Sequence, residues 1–401
     1  MNDSSKLRYS TPEEAGMLPD RIEKVKQLAE GWVTSGQTPS LVILAARKGI
    51  IFLQEAYGQL RPEENSPPLR LDSIFPISSI TKPVTATAVM ILVEDGLLGL
   101  NRPVVDYIPE ICGEGGTEEI LVHHLLTHTS GYNEEALLKF IMENIGKWSE
   151  LPPCPENQHH LIHEVLHMQY PAPLWKAAGV EMSYCGYNYQ LLGEIVRRVS
   201  HSSLADFASE RIFQPLGMKD TYYIVPESLD PRIVKRPADA PGAQPMSRYN
   251  QGQNSRQIQE TPYGFTGVFS TAMDMAVFGQ MFLNGGQYGD RRVLSRPTVS
   301  EMTRIQIPGI GVDWFGTYIP EASWGYGWAV AGDRKWKYNR GSLHSRKSFG
   351  HTGAGGTRLL VDPVHEIVFV YFSVVLEATP RLEQKTNSDL CENAIYASIN
   401  E

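Results

Sequence analysis

Ser79-Ile80-Thr81-Lys82, inside the run FPISSITKPVTATAVMILVEDGLLGL, sets a hydroxyl and an amine three residues apart at the start of an apolar stretch. Residues i and i+3 share one face of a helix, so the lysine nitrogen can reach the serine oxygen. A serine hydroxyl is a weak nucleophile at its free pKa and acts beside a group that takes its proton. In a first helical turn it also meets the positive end of the dipole and unpaired N–H groups, which favour developing negative charge. The chemistry open to such a pair is acyl transfer through a covalent serine intermediate. The same spacing also fits an N-cap serine that a lysine merely follows. Ser78 is ruled out as the paired serine because position 81 is threonine, and Pro83 biases Lys82 away from helical geometry.

A second pattern points to different chemistry. His163-Glu164-Val165-Leu166-His167 is formally HExxH, in which two histidines on one helical face bind zinc and the glutamate acts as base. His160 adds an imidazole one turn earlier. Glu181 and Glu194 are the candidate third ligands, but neither sits in a second motif, and no HExxHxxGxxH continuation follows. A histidine-rich solvated stripe on a short helix between Pro155 and Pro171 accounts for the pattern, so no metal and no cofactor is expected. His124 and His128, also four apart, are read the same way, with His128 a structural residue near the floor of a cleft.

The elements that must position these residues follow from periodicity. Asp20 to Gly36 reads as an amphipathic helix with Ile22, Val25, Leu28 and Trp32 on one stripe. Leu41–Ala46 and Ile50–Tyr57 read as strands about the turn Arg47-Lys48-Gly49. The Ser79 helix follows, with Gly96 as its left-handed stop. From about 100 to 260 the pattern is mostly helical, and 226–262, rich in Pro, Gln, Arg and Ser, reads as a long surface loop bordering a site. Ala272–Leu283 is a helix capped by Thr271 and Asp274, with Gly285-Gly286 behind it. Thr357–Val361 and Ile367–Ser373 are β-rich runs about Asp362-Pro363, and a last helix spans about 384–399. Strands at both ends with helices between imply an α+β fold. Its antiparallel sheet domain is built from residues 1–78 and 263–401, and a mostly helical domain spans 79–262, with the site in the cleft between them.

Composition narrows the class. The 401 residues, 42% of them hydrophobic, can bury one large core or two moderate ones. A formal charge of −9 with no basic cluster argues against nucleic-acid or anionic-membrane partners. No run approaches the length of a spanning helix, and the polar start MNDSSKLRYSTPEEAG has no apolar segment of a secretory signal. Cys112, Cys154, Cys185 and Cys391 form no CxxC pattern and read as free thiols. A cytoplasmic location is expected.

FPISSITKP, LLTHTSGY, YCGYNYQLLGEIV, STAMDMAVFGQMFLNGG and FGHTGAGGTRLLVDP occur in the order found in the serine β-lactamase-like superfamily. Over roughly residues 15–395 the chain resembles class C β-lactamases and family VIII carboxylesterases. The resemblance implies a β-lactamase/transpeptidase-like fold in which Ser79 is the acyl-accepting nucleophile, Lys82 its helical partner and Tyr184 a third catalytic group. An ammonium beside Tyr184 would favour its ionised form and let it work as base and then acid. The choice of dominant base between Lys82 and Tyr184 stays open, as does the plainer reading of Tyr184 as a helix-anchoring aromatic. His351-Thr352-Gly353 matches the family's lysine-threonine-glycine strand, Gly353 permitting close approach of substrate backbone and the Ala354 N–H pairing with that of Ser79 as an oxyanion hole. His351 also fits a strand-end histidine on a solvated face. Trp324 and Tyr326 either line an acyl or alcohol pocket, with Tyr263 and Phe265 nearby, or are core aromatics.

Two departures shift the expected substrate. Gly186 stands two residues after Tyr184 where the resemblance implies a substrate-binding asparagine, for which Asn188 is a candidate replacement. His351 stands where it implies a lysine, removing a permanent cation for a substrate carboxylate. Both weaken β-lactam or peptidoglycan recognition more than acyl transfer. A carboxylesterase or transesterase on small or medium esters is therefore expected, with a β-lactamase or D-stereospecific peptidase or amidase as the alternative; oligomeric state is left open.

Overall fold

The computed structural model describes residues 5–111, 115–144, 151–240, 243, 252–314, 317–332, 341–376 and 386–400. A seven-stranded sheet organises the chain: β1 (Arg8–Tyr9), β2 (Ser40–Arg47), β3 (Ile50–Gly58), β4 (Ala329–Val330), β5 (Phe349–Gly353), β6 (Thr357–Asp362) and β7 (Ile367–Ser373), in the order β1-β3-β2-β7-β6-β5-β4. Only the β1–β3 pairing is parallel. The β2–β3 turn puts Lys48 and Gly49 at φ 54° and 76°, the doubly left-handed geometry that suits the twist of a two-residue hairpin. The sheet thus draws its strands from both ends of the chain.

β2 and β7 are buried along their whole length because both faces of the sheet are covered. Leu41, Ile43 and Ala45 face helices Pro19–Thr34 and Ser388–Tyr396, meeting Ile22, Val25, Trp32 and Ile395. Val42, Leu44 and Ala46 point the other way, into the larger core shared with helix Ala272–Leu283. This period-2 division explains why the strands read as continuous apolar runs. Helix Ala272–Leu283 starts where Thr271 accepts a hydrogen bond from the Asp274 N–H at 3.2 Å. At Gly279 it lies so close to the sheet that an added Cβ would stand 2.9 Å from Val368 Cγ1.

Helix Thr81–Glu94 is buried from Thr81 to Leu92, the pattern of a central helix rather than a surface one. Its threonines are satisfied internally: Thr85 donates to the Gly264 carbonyl at 2.6 Å and Thr81 accepts from the Val268 N–H at 3.0 Å. The last helix is shorter than its sequence pattern, beginning at Ser388. Of the 226–262 stretch, Glu227–Arg232 is a 3₁₀ helix and Arg256–Glu260 an α-helix, while 241, 242 and 244–251 lie outside the described residues. Cys154, Cys185 and Cys391 are free thiols, and Cys112 lies outside the described residues. Among the described residues no helix is long and apolar enough to cross a membrane.

Replacing Gly279 by leucine forces a branched side chain into the helix–sheet contact. Gly279→Leu should destabilise the protein by about 1–3 kcal/mol, read as a lowered urea midpoint. An unchanged midpoint would contradict this packing.

Candidate active site

Ser79 lies in a 3₁₀ turn, Ser78–Ile80, that runs directly into the helix beginning at Thr81. It therefore precedes the α-helix rather than occupying its first turn. Lys82 is helical despite the following proline, because Pro83 is the helix's third residue, where no intrahelical N–H bond is required. Ser78 takes φ +49°, a left-handed conformation costly for a residue with a side chain. The turn is held from two sides: the Ile77 N–H donates to the Val268 carbonyl at 3.0 Å, and the Thr357 hydroxyl donates to the Ile77 carbonyl at 3.1 Å. Gly353 has a packing reason for its missing side chain. A Cβ there would lie 2.2 Å from the Ile77 carbonyl oxygen and 2.1 Å from Thr357 Oγ1, so the glycine admits the Ser78–Ile80 turn against β5.

Lys82 is buried while Ser79 remains partly accessible. Its Nζ lies 3.0 Å from Ser79 Oγ and 3.1 Å from the Phe265 carbonyl oxygen, over the rings of Tyr184, Tyr189 and Phe265 at 4.7, 5.8 and 5.7 Å. Burial pulls the amine down to about 7, against the opposing influence of Glu134 and Cys185. A neutral amine can keep one N–H on the Phe265 carbonyl and direct its lone pair at Ser79.

Tyr184 immediately precedes the N-cap of helix Gly186–Ser200. Burial pushes its phenol above the ordinary range, outweighing the lowering influence of the nearby Ser79 hydroxyl. This corrects the expectation of an ionised phenol: Tyr184 stays protonated at neutral pH, which suits a proton donor. Of the two candidates, Lys82 is the group able to accept the Ser79 proton there.

The aromatic wall is composite. Trp324 lies 5.8 Å from Tyr184 and 5.7 Å from His351 between ring centres, and Trp314 lies 5.7 Å from Tyr184. His351, buried on β5, is 6.2 Å from the Tyr184 ring and donates through Nδ1 to the Thr352 carbonyl at 2.7 Å, so it is not on a solvated face. Tyr326 takes no part in this set of rings; its phenol is raised by burial and influenced by Arg304 and Glu301. Tyr263 contacts Phe265 at 5.6 Å. Ala354 is exposed just past β5, and among the described residues neither its N–H nor that of Ser79 is used in a backbone hydrogen bond.

His128 is buried at φ +58°, 4.5 Å from the Tyr184 ring, and accepts the Cys185 N–H on Nδ1 at 3.2 Å. Burial, with Lys82 and His351 nearby, drives its pKa far down, so it is a neutral brace for the Tyr184 segment. Asn188 does not replace the missing asparagine. Its amide is buried below the site, accepting from the Ser130 hydroxyl at 2.6 Å and meeting His128 Nδ1 at 3.3 Å. Beside Gly186 the structure instead brings up Glu134, whose carboxylate accepts the Gly186 N–H at 2.7 Å. Glu134, the Phe265 carbonyl, Arg236 and Gln253 are site components that sequence reasoning did not single out. Spacing carries no sign of a backbone carbonyl, and the 226–262 stretch has no periodicity to place its side chains.

The HExxH residues lie away from this cluster, on helix His160–Gln169. His163 is buried, with Nδ1 2.9 Å from Gln158 Oε1 and Nε2 2.8 Å from the Pro152 carbonyl. His167 Nδ1 donates to the His163 carbonyl at 2.8 Å. Both ring nitrogens of His163 are thus engaged by protein groups, and the stripe is not solvated on that side. Among the described residues no group of three His, Cys, Asp or Glu is arranged to hold a metal ion.

Comparison with known proteins gives the family and the fold. The family model described as Beta-lactamase matches residues 23–388. A Salmonella enteritidis protein named "Putative D-alanyl-D-alanine carboxypeptidase" is 25% identical over 391 residues, covering 91% of this chain and 85% of its own length. A penicillin-binding protein homologue from Caulobacter crescentus superposes with a TM-score of 0.73 at 21% identity, covering 96% of this chain and 99% of that one. A family VIII carboxylesterase gives 0.69 at 21% identity, with coverage of 96% and 99%.

Because Lys82 must be neutral to accept a proton and its pKa lies near 7, acylation should be weak well below pH 7 and reach a plateau above it. The pre-steady-state burst of a nitrophenyl ester, followed from pH 5 to 9, checks this. A flat profile over that range contradicts the assignment of Lys82 as base.

Proposed function

The chain belongs to the beta-lactamase family, and from that premise we propose that it is a serine hydrolase acting by acyl-enzyme formation on small or medium carboxylic esters. One observation carries the reading: a buried amine, poised to be neutral near pH 7, lies 3.0 Å from Ser79 Oγ. In the proposed cycle Lys82 takes the Ser79 proton as Oγ bonds to the ester carbonyl carbon. The N–H groups of Ser79 and Ala354 receive the oxyanion. The carbonyl re-forms as the alkoxide leaves, taking a proton from the Tyr184 phenol, and the proton on Lys82 restores Tyr184. Water then gives a proton to the same amine as it attacks the acyl carbonyl, the carbonyl–Oγ bond breaks, and Lys82 returns that proton to Ser79 Oγ as the acid leaves; an alcohol in place of water gives transesterification.

The ester preference rests on what this cleft substitutes. His351 replaces a permanent cation, Gly186 offers no amide, and Asn188 is committed elsewhere. Trp314, Trp324 and Tyr184 present aromatic surface suited to an apolar acyl or alcohol group. A second reading, hydrolysis of D-configured peptides or β-lactams, is favoured by the name of the Salmonella relative and uses the same proton path.

Ser79→Ala should abolish hydrolysis of short-chain nitrophenyl esters while the thermal unfolding midpoint is retained. Substantial residual turnover in that variant would overturn the reading. Parallel turnover of nitrophenyl esters, D-amino-acid amides and nitrocefin separates the two substrate classes, with the esters expected to be fastest.

A further inference from the structure

A partly buried hydrogen-bond chain joins the two halves of the proposed oxyanion hole. Gln253 Nε2 donates to Ser78 Oγ at 3.0 Å, and the Ser78 hydroxyl donates to the Ala354 carbonyl at 2.8 Å. The same carbonyl accepts Arg236 Nη2 at 3.2 Å. Ser78 precedes Ser79, and Ala354 is the residue whose N–H the proposed cycle pairs with that of Ser79. The arms come from one substructure: the Arg236 N–H donates to Asn254 Oδ1 and Asn254 Nδ2 returns a bond to the Arg236 carbonyl, both at 2.9 Å.

Three features show that this contact is built into the site. Ser78 and Arg236 are 2% and 3% exposed, too buried to be a solvated surface pair. Gly355, at φ +93°, leaves the space the guanidinium fills, since a Cβ there would fall 1.6 Å from Arg236 Nη1. Ser78 holds its left-handed backbone where its hydroxyl spans the gap, and such conformations persist only when surrounding contacts over-determine them. Burial lowers the Arg236 pKa to about 10, which still leaves it cationic at neutral pH.

We propose that Arg236, Gln253 and Ser78 are positioning residues that lock the Ala354 and Ser79 amides into register for the acyl-transfer transition state. The Ala354 N–H shares a peptide plane with the Gly353 carbonyl, which accepts the Gly356 N–H at 3.2 Å, and the bonds to the Ala354 carbonyl hold the next peptide, so the residue is held from both ends. None of the three touches the reacting atoms. Their contribution is preorganisation, which acts on the transition state more than on substrate binding. The inference rests on the serine-hydrolase reading above, which labelling of Ser79 by a nitrophenyl phosphonate tests separately.

The experiment measures kcat and KM for a nitrophenyl ester, the acid limb of the pH profile and the melting temperature for Gln253→Ala, Ser78→Gly, Arg236→Met and Arg236→Lys. Ser78→Gly retains a residue at ease with positive φ while deleting the hydroxyl link. Expected are a fall in kcat of about 10–100-fold for Gln253→Ala, Ser78→Gly and Arg236→Met with KM little changed, an unmoved acid limb, and partial recovery in Arg236→Lys. Gln253→Ala and Ser78→Gly should melt with the parent protein, which separates positioning from folding should Arg236→Met fold poorly. Wild-type kcat in both, in protein whose Ser79 the phosphonate still labels, would overturn the clamp while leaving the hydrolase reading intact.

Discussion

An amine enclosed by protein is costly to keep charged, and the site depends on that cost. Lys82 Nζ packs against three aromatic rings, and its neighbours supply only partial compensation: one backbone carbonyl, one hydroxyl and the more distant influence of Glu134. Surrendering the proton near neutral pH is the cheaper outcome, and on the proposed reading it makes an ordinarily charged amine a base for Ser79. The same burial acts oppositely on Tyr184, keeping its phenol protonated. One desolvated environment therefore separates an acceptor from a donor, the arrangement that general acid–base catalysis needs.

The fold supplies the dryness. Helix Thr81–Glu94 is surrounded on all sides, so a polar side chain in its first turn has nowhere to reach water except along the cleft. The Ser78–Ile80 turn is wedged between β5 and the segment that carries Phe265 and Val268, with Gly353 admitting the backbone contact that closes the wedge. On the far side His128 and Asn188 brace the Tyr184 segment from below. Rigid backbone on three sides explains how a strained residue such as Ser78 is tolerated next to the reacting group.

What could be read from the sequence follows what physics writes locally. β6, β7 and helix Ala272–Leu283 stand within a residue of their patterns, because apolar runs and a Thr-x-x-Asp cap are local signals. The Ser79–Lys82 pairing was legible from spacing, whereas Tyr184 and His351 needed the ordered motifs around them. Asn188 and His163 were misjudged for one reason: their polar atoms are claimed by Ser130 and by Gln158 and Pro152, partners that only tertiary packing brings near. The packing role of Gly353 was invisible for a related reason, since its missing side chain makes room for the protein's own carbonyl. The expected phenolate failed because proximity of a cation was weighed without the desolvation that acts on both groups.

The protonation state of one side chain decides the account. Carbon-13 NMR of lysine labelled at Cε, with Lys82 identified by the signal missing from Lys82→Met, reads that state directly in the resting protein. A resonance that titrates near pH 7 is predicted. A resonance that holds its charged position until about pH 10, as an ordinary lysine does, would contradict it.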